Sequence, residues 1–309
     1  MRLIGKTNID FVGKRWIGYT LSLLILSFGI FSLISKGGPR LGIDFTGGIL
    51  MQVKFVQNVP AEDIRTELES IGYKDAEIQD ITNSNSVIIR FPKSNLAVTE
   101  EVKKITDALN SKWSGQGISI ERTEMVGPKV GAALSQQAFY ALLYSWVMII
   151  IYIAFRFKSM VNGVAGVVAL IHDVLVVLGI FSIMNKEITL TVIASFLTIV
   201  GYSIHDTIVV YDRIRENKRI LRDKSFYDVI NISINDTLSR TIITSLTVFM
   251  ALVALFFWGG PVIHDFALAL LIGVIVGTYS SIAVASPMVY DWVTRQEKKR
   301  ALIRQNGKA

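Results

Sequence analysis

Six long apolar runs constrain this chain more than any other feature. A helix needs about 20 mostly apolar residues to cross about 30 Å of hydrocarbon, and positions 16–35, 136–155, 161–184, 188–211, 241–258 and 266–289 all meet that length. The sequence is 51% hydrophobic and 18% charged, below the quarter or so expected of a soluble domain. It predicts a polytopic α-helical membrane protein with six spans. The first run is followed by Lys36, Gly37 and Gly38 without a small-residue cleavage pattern, so it reads as an uncleaved anchor and not as a signal peptide.

The net charge of +7 follows topology. Lysines and arginines gather before the first span, at Arg156 and Lys158, between Arg213 and Arg240, and from Arg295 onward, whereas the short loops of the other set hold only Lys186. The positive-inside rule then puts both termini in the cytoplasm and the long segment 36–135 outside. Without a recognised motif or a basic patch beside aromatic residues, nucleic acid is not an expected partner. The absence of cysteine removes disulfides, thiol nucleophiles and thiolate metal sites.

Segment 36–135 has no run of spanning length and divides into short periodic pieces. Ile49, Met51, Val53 and Phe55 alternate as on a strand, and Pro60 opens a helix with Ile64, Leu68 and Ile71 on one face. Strands at 76–82 and 86–91 flank the turn residues Asn83, Ser84 and Asn85; Thr99 is the expected cap of a second helix, and 118–125 is a last strand. The order β-α-β-β-α-β predicts an inserted α+β ferredoxin-like domain, a scaffold without a fixed function. It has no histidine and no Ser-His-Asp set, so a binding or moving role is expected of it, not catalysis. The domain plan is 1–35 for the N-terminus and first span, 36–135 for the extramembrane domain, 136–292 for spans two to six and 293–309 for a basic cytoplasmic tail.

The informative residues are charges inside the spans, where each costs several kcal/mol unless paired, neutralised or wetted. All three histidines precede an aspartate: His172-Asp173 in the third span, His205-Asp206 in the fourth, and His264-Asp265 at the outer start of the sixth. Arg240 opens the fifth span at about the depth of Asp206. The two suit an ion pair that breaks when the carboxylate takes a proton, while Asp236, four residues before Arg240, offers a purely structural alternative. His172 and Asp173 read either as a secondary relay or as helix-packing polar residues, and His205 as a weak extension of a proton path. Gly273 and Gly277 form a G-x-x-x-G, a helix-packing pattern. Residues 212–231 read as an amphipathic connector on the cytoplasmic membrane surface. Gly42–Gly48 and Gly127–Gly131 lack the G-K-[ST] ending of a phosphate loop.

Several of these stretches together resemble the SecF family of the bacterial protein-export system. The resemblance is carried by Gly42-Ile43-Asp44-Phe45-Thr46-Gly47-Gly48 after the first span, Phe155-Arg156-Phe157, His172-Asp173, Gly201-Tyr202-Ser203-Ile204, Asp206 through Val210, Asp212 through Asn217, Leu238-Ser239-Arg240-Thr241 and Gly277 through Ile282. It covers nearly the whole chain. It implies a non-enzymatic transport subunit of the bacterial inner membrane that pairs with SecD beside the SecYEG channel. There it uses the proton-motive force to complete export of unfolded preproteins after SecA has driven them in. The resemblance also implies that Asp206 is the proton-pathway carboxylate and Arg240 its essential arginine, with a further aspartate supplied by SecD. No cofactor or metal is implied beyond protons as coupling ion, with sodium left open. The SecF pattern carries Asn where this chain has His205. The resemblance extends to the resistance-nodulation-division transporters, and two alternatives stay beside this one: a small-molecule or lipid exporter of that superfamily, and a non-transporting assembly factor for the channel.

Overall fold

The computed structural model describes residues 7–74, 76–81, 85–91, 98–115 and 117–306. The chain divides into two compact units, one formed by Leu41–Phe139 and the other by Met1–Arg40 with Tyr140–Ala309.

In chain order the elements are α1 (Arg15–Ser35), α2 (Ile43–Thr46), β1 (Gly48–Lys54), α3 (Ala61–Ser70), β2 (Glu77–Asp80), β3 (Ser86–Phe91), α4 (Val98–Lys112) and β4 (Ser119–Val126). They continue as α5 (Pro128–Phe157), α6 (Met160–Ile183), α7 (Leu190–Ile220), α8 (Phe226–Trp258), α9 (Pro261–Ser280), a π-helical turn (Ser281–Ala285) and α10 (Ser286–Asn306). α1, α5, α6, α7, α8 and the α9–α10 run are each long and apolar enough to cross a membrane.

In the smaller unit the four strands form one antiparallel sheet in the order β2-β3-β1-β4, the arrangement that split βαβ connections produce. The β1–β3 register sets Ile49 opposite Phe91, Met51 opposite Ile89 and Val53 opposite Val87. The odd positions of both strands therefore share the face that meets Ile64 and Leu68 of α3 and Ile105 and Leu109 of α4. Burying each such side chain contributes about 1.5–3 kcal/mol. Asn83 and Ser84 lie outside the described residues. Thr99 sits inside the first turn of α4, which already includes Val98, so it is not the cap.

The glycine-rich segment after α1 is a structural turn. Ile43–Thr46 makes a single helical turn closed by the Gly47 N–H donating to Ile43 C=O at 2.9 Å. Gly47 then takes φ +72° and ψ 170°, a region open in practice only to glycine. A Cβ there would lie 2.9 Å from Pro128 Cα, and one on Gly131 would lie 2.8 Å from Phe45 C=O. Backbone approaches backbone too closely at both positions for a side chain.

In the larger unit, α6 is mostly buried, while α1 and α5 present mainly exposed apolar side chains. α1 crosses α6 where Gly29 meets Gly179; a Cβ on Gly29 would stand 2.8 Å from Gly179 Cα. α9 crosses α7 at Gly273 and Gly277, which face Ile199 and Ser203. The segment expected as a surface connector is instead a tight helical hairpin. α7 runs on to Ile220, and α8 starts at Phe226 behind Ser225, whose hydroxyl accepts the Asp228 N–H at 3.1 Å. Arg213 donates to Asp236 at 2.7 Å and Asn217 donates to Ser233 at 3.0 Å across the hairpin. These contacts use the charged face that the sequence pattern assigns to water.

The segment before α1 is strapped to the start of α8. Asn235 accepts from Ile9 N–H at 2.9 Å and donates to Ile9 C=O at 2.8 Å, and Asp10 accepts from Tyr227 at 2.5 Å, Asn231 at 2.8 Å and Gly13 N–H at 2.8 Å. The Tyr227 hydroxyl, followed by the Gly13 N–H, holds the Asp10 carboxyl below its ordinary pKa.

Candidate functional site: two buried carboxylates

Asp173 and Asp206 lie in the buried middle of the larger unit, exposed by 0% and 3%. α7 connects their surroundings, because Ser203 and Asp206 are three residues apart and share one side of that helix.

Asp173 is caged. Ser203 of α7 donates to its Oδ2 at 2.6 Å, Ser280 at the end of α9 donates to the same oxygen at 2.9 Å, and Nδ1 of His172 lies 3.0 Å from Oδ1. Gly277 forms the wall beside it: a Cβ there would be 2.9 Å from Ser203 Oγ and 3.5 Å from Asp173 Oδ2. The glycine read from sequence as a packing residue thus lets α9 bring Ser280 to the carboxylate. The π-helical turn begins at the next residue, and Ser286 closes it by donating to Ser281 C=O at 2.8 Å. His172 is buried, and its Nε2 has no hydrogen-bond partner among the described residues.

Asp206 is held loosely by comparison. Ser245 of α8 donates to its Oδ2 at 3.4 Å; that hydroxyl also meets Thr278 of α9 at 2.7 Å and accepts from Tyr202 at 3.4 Å. His205 Nδ1 stands 3.9 Å from Oδ1, and its side chain is 59% exposed. Arg240 is exposed and within electrostatic reach of Asp206. Among the described residues, however, the two make no ion pair within 4.0 Å. The direct pair expected from matching depth is therefore open here. Arg240 starts five residues before Ser245, about 7.5 Å along α8 at 1.5 Å per residue, a gap comparable with the length of an arginine side chain. The alternative pairing with Asp236 is not made either, because Arg213 takes that carboxylate.

The third dipeptide lies elsewhere. Asp265 accepts from Lys186 at 2.9 Å and meets His264 Nδ1 at 3.2 Å, all three partly exposed. Gly42, Asp44, Phe45, Thr46, Gly47 and Gly48 belong to the turn of the smaller unit, with Thr46 donating to Gly42 C=O at 3.2 Å.

Sequence reading missed the hydroxyls. Ser203, Ser280 and Ser245 bind the two carboxylates and Thr278 braces Ser245, and the only signal for them is helical spacing: Ser203 precedes Asp206 by three residues, and Ser280 follows Gly277 by three. A hydroxyl donates to an ionised carboxylate and can accept from a protonated one, so each carboxyl has a hydroxyl partner in either protonation state. No group of three or more metal-ligating His, Cys, Asp or Glu occurs among the described residues.

Comparison with known proteins agrees on one family. The model described as protein export membrane protein SecD/SecF, C-terminal, matches residues 105–295, and the SecD/SecF GG motif matches residues 31–59. The protein translocase subunit SecF of Endomicrobium trichonymphae is 42% identical over 308 residues, covering 99% of each chain. That of Thermodesulfovibrio yellowstonii is 45% identical over 293 residues, covering 94% of this chain and 96% of its own. Among solved structures, the translocon-associated membrane protein SecDF of Thermus thermophilus superposes with a TM-score of 0.84 at 38% identity. The match covers 93% of this chain and 39% of that longer one. A SecDF structure in a super-membrane-facing form gives a TM-score of 0.71 at 37% identity, covering 97% of this chain and 41% of that one.

Proposed function

The chain belongs to the SecF family of protein translocase subunits, and from that premise we propose that it couples the proton-motive force to preprotein export through Asp206. SecD is the partner, and the pair works beside the SecYEG channel after SecA-driven insertion. Both termini face the cytoplasm, and the ferredoxin-like unit faces the periplasm or exterior. The observation that carries the reading is the contrast between the carboxylates. Asp173 receives two short hydroxyl bonds and an imidazole contact, whereas Asp206 keeps one 3.4 Å bond and lies near the exposed side chains of His205 and Arg240.

In the proposed cycle, ionised Asp206 draws Arg240 across the gap along α8, and protonation releases it. α8 then shifts against α7, and the extramembrane unit moves with the membrane core so that an emerging chain does not slide back. A potential of 100 mV supplies about 2.3 kcal/mol per charge moved, enough to bias a two-state motion roughly fifty-fold. Protons are the coupling ion in this account. SecD contributes a further aspartate.

The test is export of a reporter preprotein into vesicles containing SecD and the channel, with and without a proton gradient. Asp206→Asn and Arg240→Met, at matched protein levels, are expected to lose the gradient-stimulated component and keep the SecA-driven one. Unchanged stimulation in both variants, with SecD still bound, would make the subunit an assembly partner.

A further inference from the structure

A pocket of about 700 Å³ between the start of α1, α6 and α10 has no part in the proton reading. It is bounded by Tyr19, Val168, Met288, Trp292, Arg295 and Lys299, and its volume lies within the roughly 300–1,000 Å³ typical of small-molecule sites. The four α10 residues follow one another at spacings of four, three and four, so they form one stripe along that helix. The stripe changes character partway. Met288 and Trp292 are apolar, and Arg295 and Lys299 are cationic.

Among the described residues the charge of the pocket is not cancelled. Asp291 also lines it, but Arg15 holds that carboxylate at 3.0 Å and Tyr19 donates to it at 3.2 Å. Among the described residues, Arg295 and Lys299 have no ion-pair partner within 4.0 Å. Two uncompensated positive charges therefore stand at one end of an apolar trough. Its side walls are open, with Val168 38% and Trp292 39% exposed.

We propose that this pocket binds an anionic phospholipid, with the phosphate between Arg295 and Lys299 and one acyl chain along Tyr19, Val168, Met288 and Trp292. A basic cleft between spanning helices, flanked by an interfacial tryptophan, is the chemistry that takes anionic headgroups from a bilayer. A zwitterionic lipid brings its own cation against the two basic residues, and a free phosphate leaves the apolar part unfilled. The assignment rests on the orientation proposed above only in placing the pocket at the cytoplasmic leaflet.

The test uses the full chain with SecD in nanodiscs of zwitterionic lipid holding a small fraction of brominated anionic lipid. Trp292 is the reporter, and its signal is the difference between the protein and its Trp292→Phe variant. Symmetric nanodiscs present the lipid in both leaflets, so the result does not depend on orientation. Quenching of Trp292 is expected, with half-effect at an anionic fraction roughly thirty-fold higher in Arg295→Gln with Lys299→Gln, from the attraction of each basic side chain for an anionic surface. Lys298→Gln with Arg300→Gln removes the same charge outside the pocket and is expected to change quenching far less. Equal quenching by brominated zwitterionic lipid would overturn the proposal, as would an equal loss in the control pair. A Trp292 that no lipid quenches would overturn it too, by showing protein over the pocket.

Discussion

Replacing Gly277 by alanine tests whether the Asp173 cage is built as described. The new Cβ would stand 2.9 Å from both Cβ and Oγ of Ser203, against an optimum near 3.5–4.0 Å for such contacts. Ser203 has little freedom to retreat, because its hydroxyl is pinned at 2.6 Å to a fully buried carboxylate. Overpacking of this kind costs about 1–3 kcal/mol, and weakening a buried hydrogen bond costs about 0.5–1.5 kcal/mol. A loss of about 3 kcal/mol is expected when the two are not fully additive. In a Ser203→Gly background the obstructing atoms are gone, so the same Gly277→Ala step should cost less than about 1 kcal/mol, close to a pure packing adjustment. Reversible unfolding of the four proteins of this cycle in mixed micelles or bilayers gives the interaction energy, expected near 2 kcal/mol. Additive costs, within about 0.5 kcal/mol, would refute the contact and with it the role of Gly277 as the wall of the cage.

Gly47→Ala should destabilise the Leu41–Phe139 unit by about 1–3 kcal/mol through backbone strain alone, with the approach to Pro128 adding to it; amide exchange of β1 and β4 reports the loss. Arg213→Ala removes a half-exposed ion pair and is expected to shift stability by less than about 1 kcal/mol in the same unfolding assay, leaving α7 helical to its end. For Asp10 the folded-state pKa is depressed, so its contribution is present above the unfolded value of about 3.9 and lost as pH falls through the lower folded one. Asp10→Asn should therefore speed amide exchange at Val12 and Gly13 at neutral pH, and the difference from the unmodified protein should vanish in strong acid.

The parts legible in the sequence are those with a period or a length. Twenty apolar residues leave a chain few choices, and the alternation of Ile49, Met51, Val53 and Phe55 with the spacing of Ile64 and Leu68 is enough to order strands and helices into the antiparallel sheet. Contacts between distant helices leave no such trace. Gly29 and Gly179 touch across 150 positions, and Ser203 and Ser280 meet Asp173 only because α7 and α9 cross at Gly277. Two local readings were overruled by tertiary pairing. The charged face after Asp212 looks amphipathic because half of it binds α8, and the i, i+4 pair of Asp236 and Arg240 yields to Arg213. The ion pair expected of Asp206 and Arg240 rested on depth alone, which fixes position along the helices but not the side-chain reach between them.

The central claim is that Asp206, and not the caged Asp173, is the carboxylate that changes protonation. Infrared difference spectra of the SecD-bound protein, recorded across an acidification series, read carboxyl groups directly through the C=O stretch of the protonated acid. The account predicts a band that Asp206→Asn removes and Asp173→Asn leaves in place. A spectrum unchanged by Asp206→Asn would contradict it.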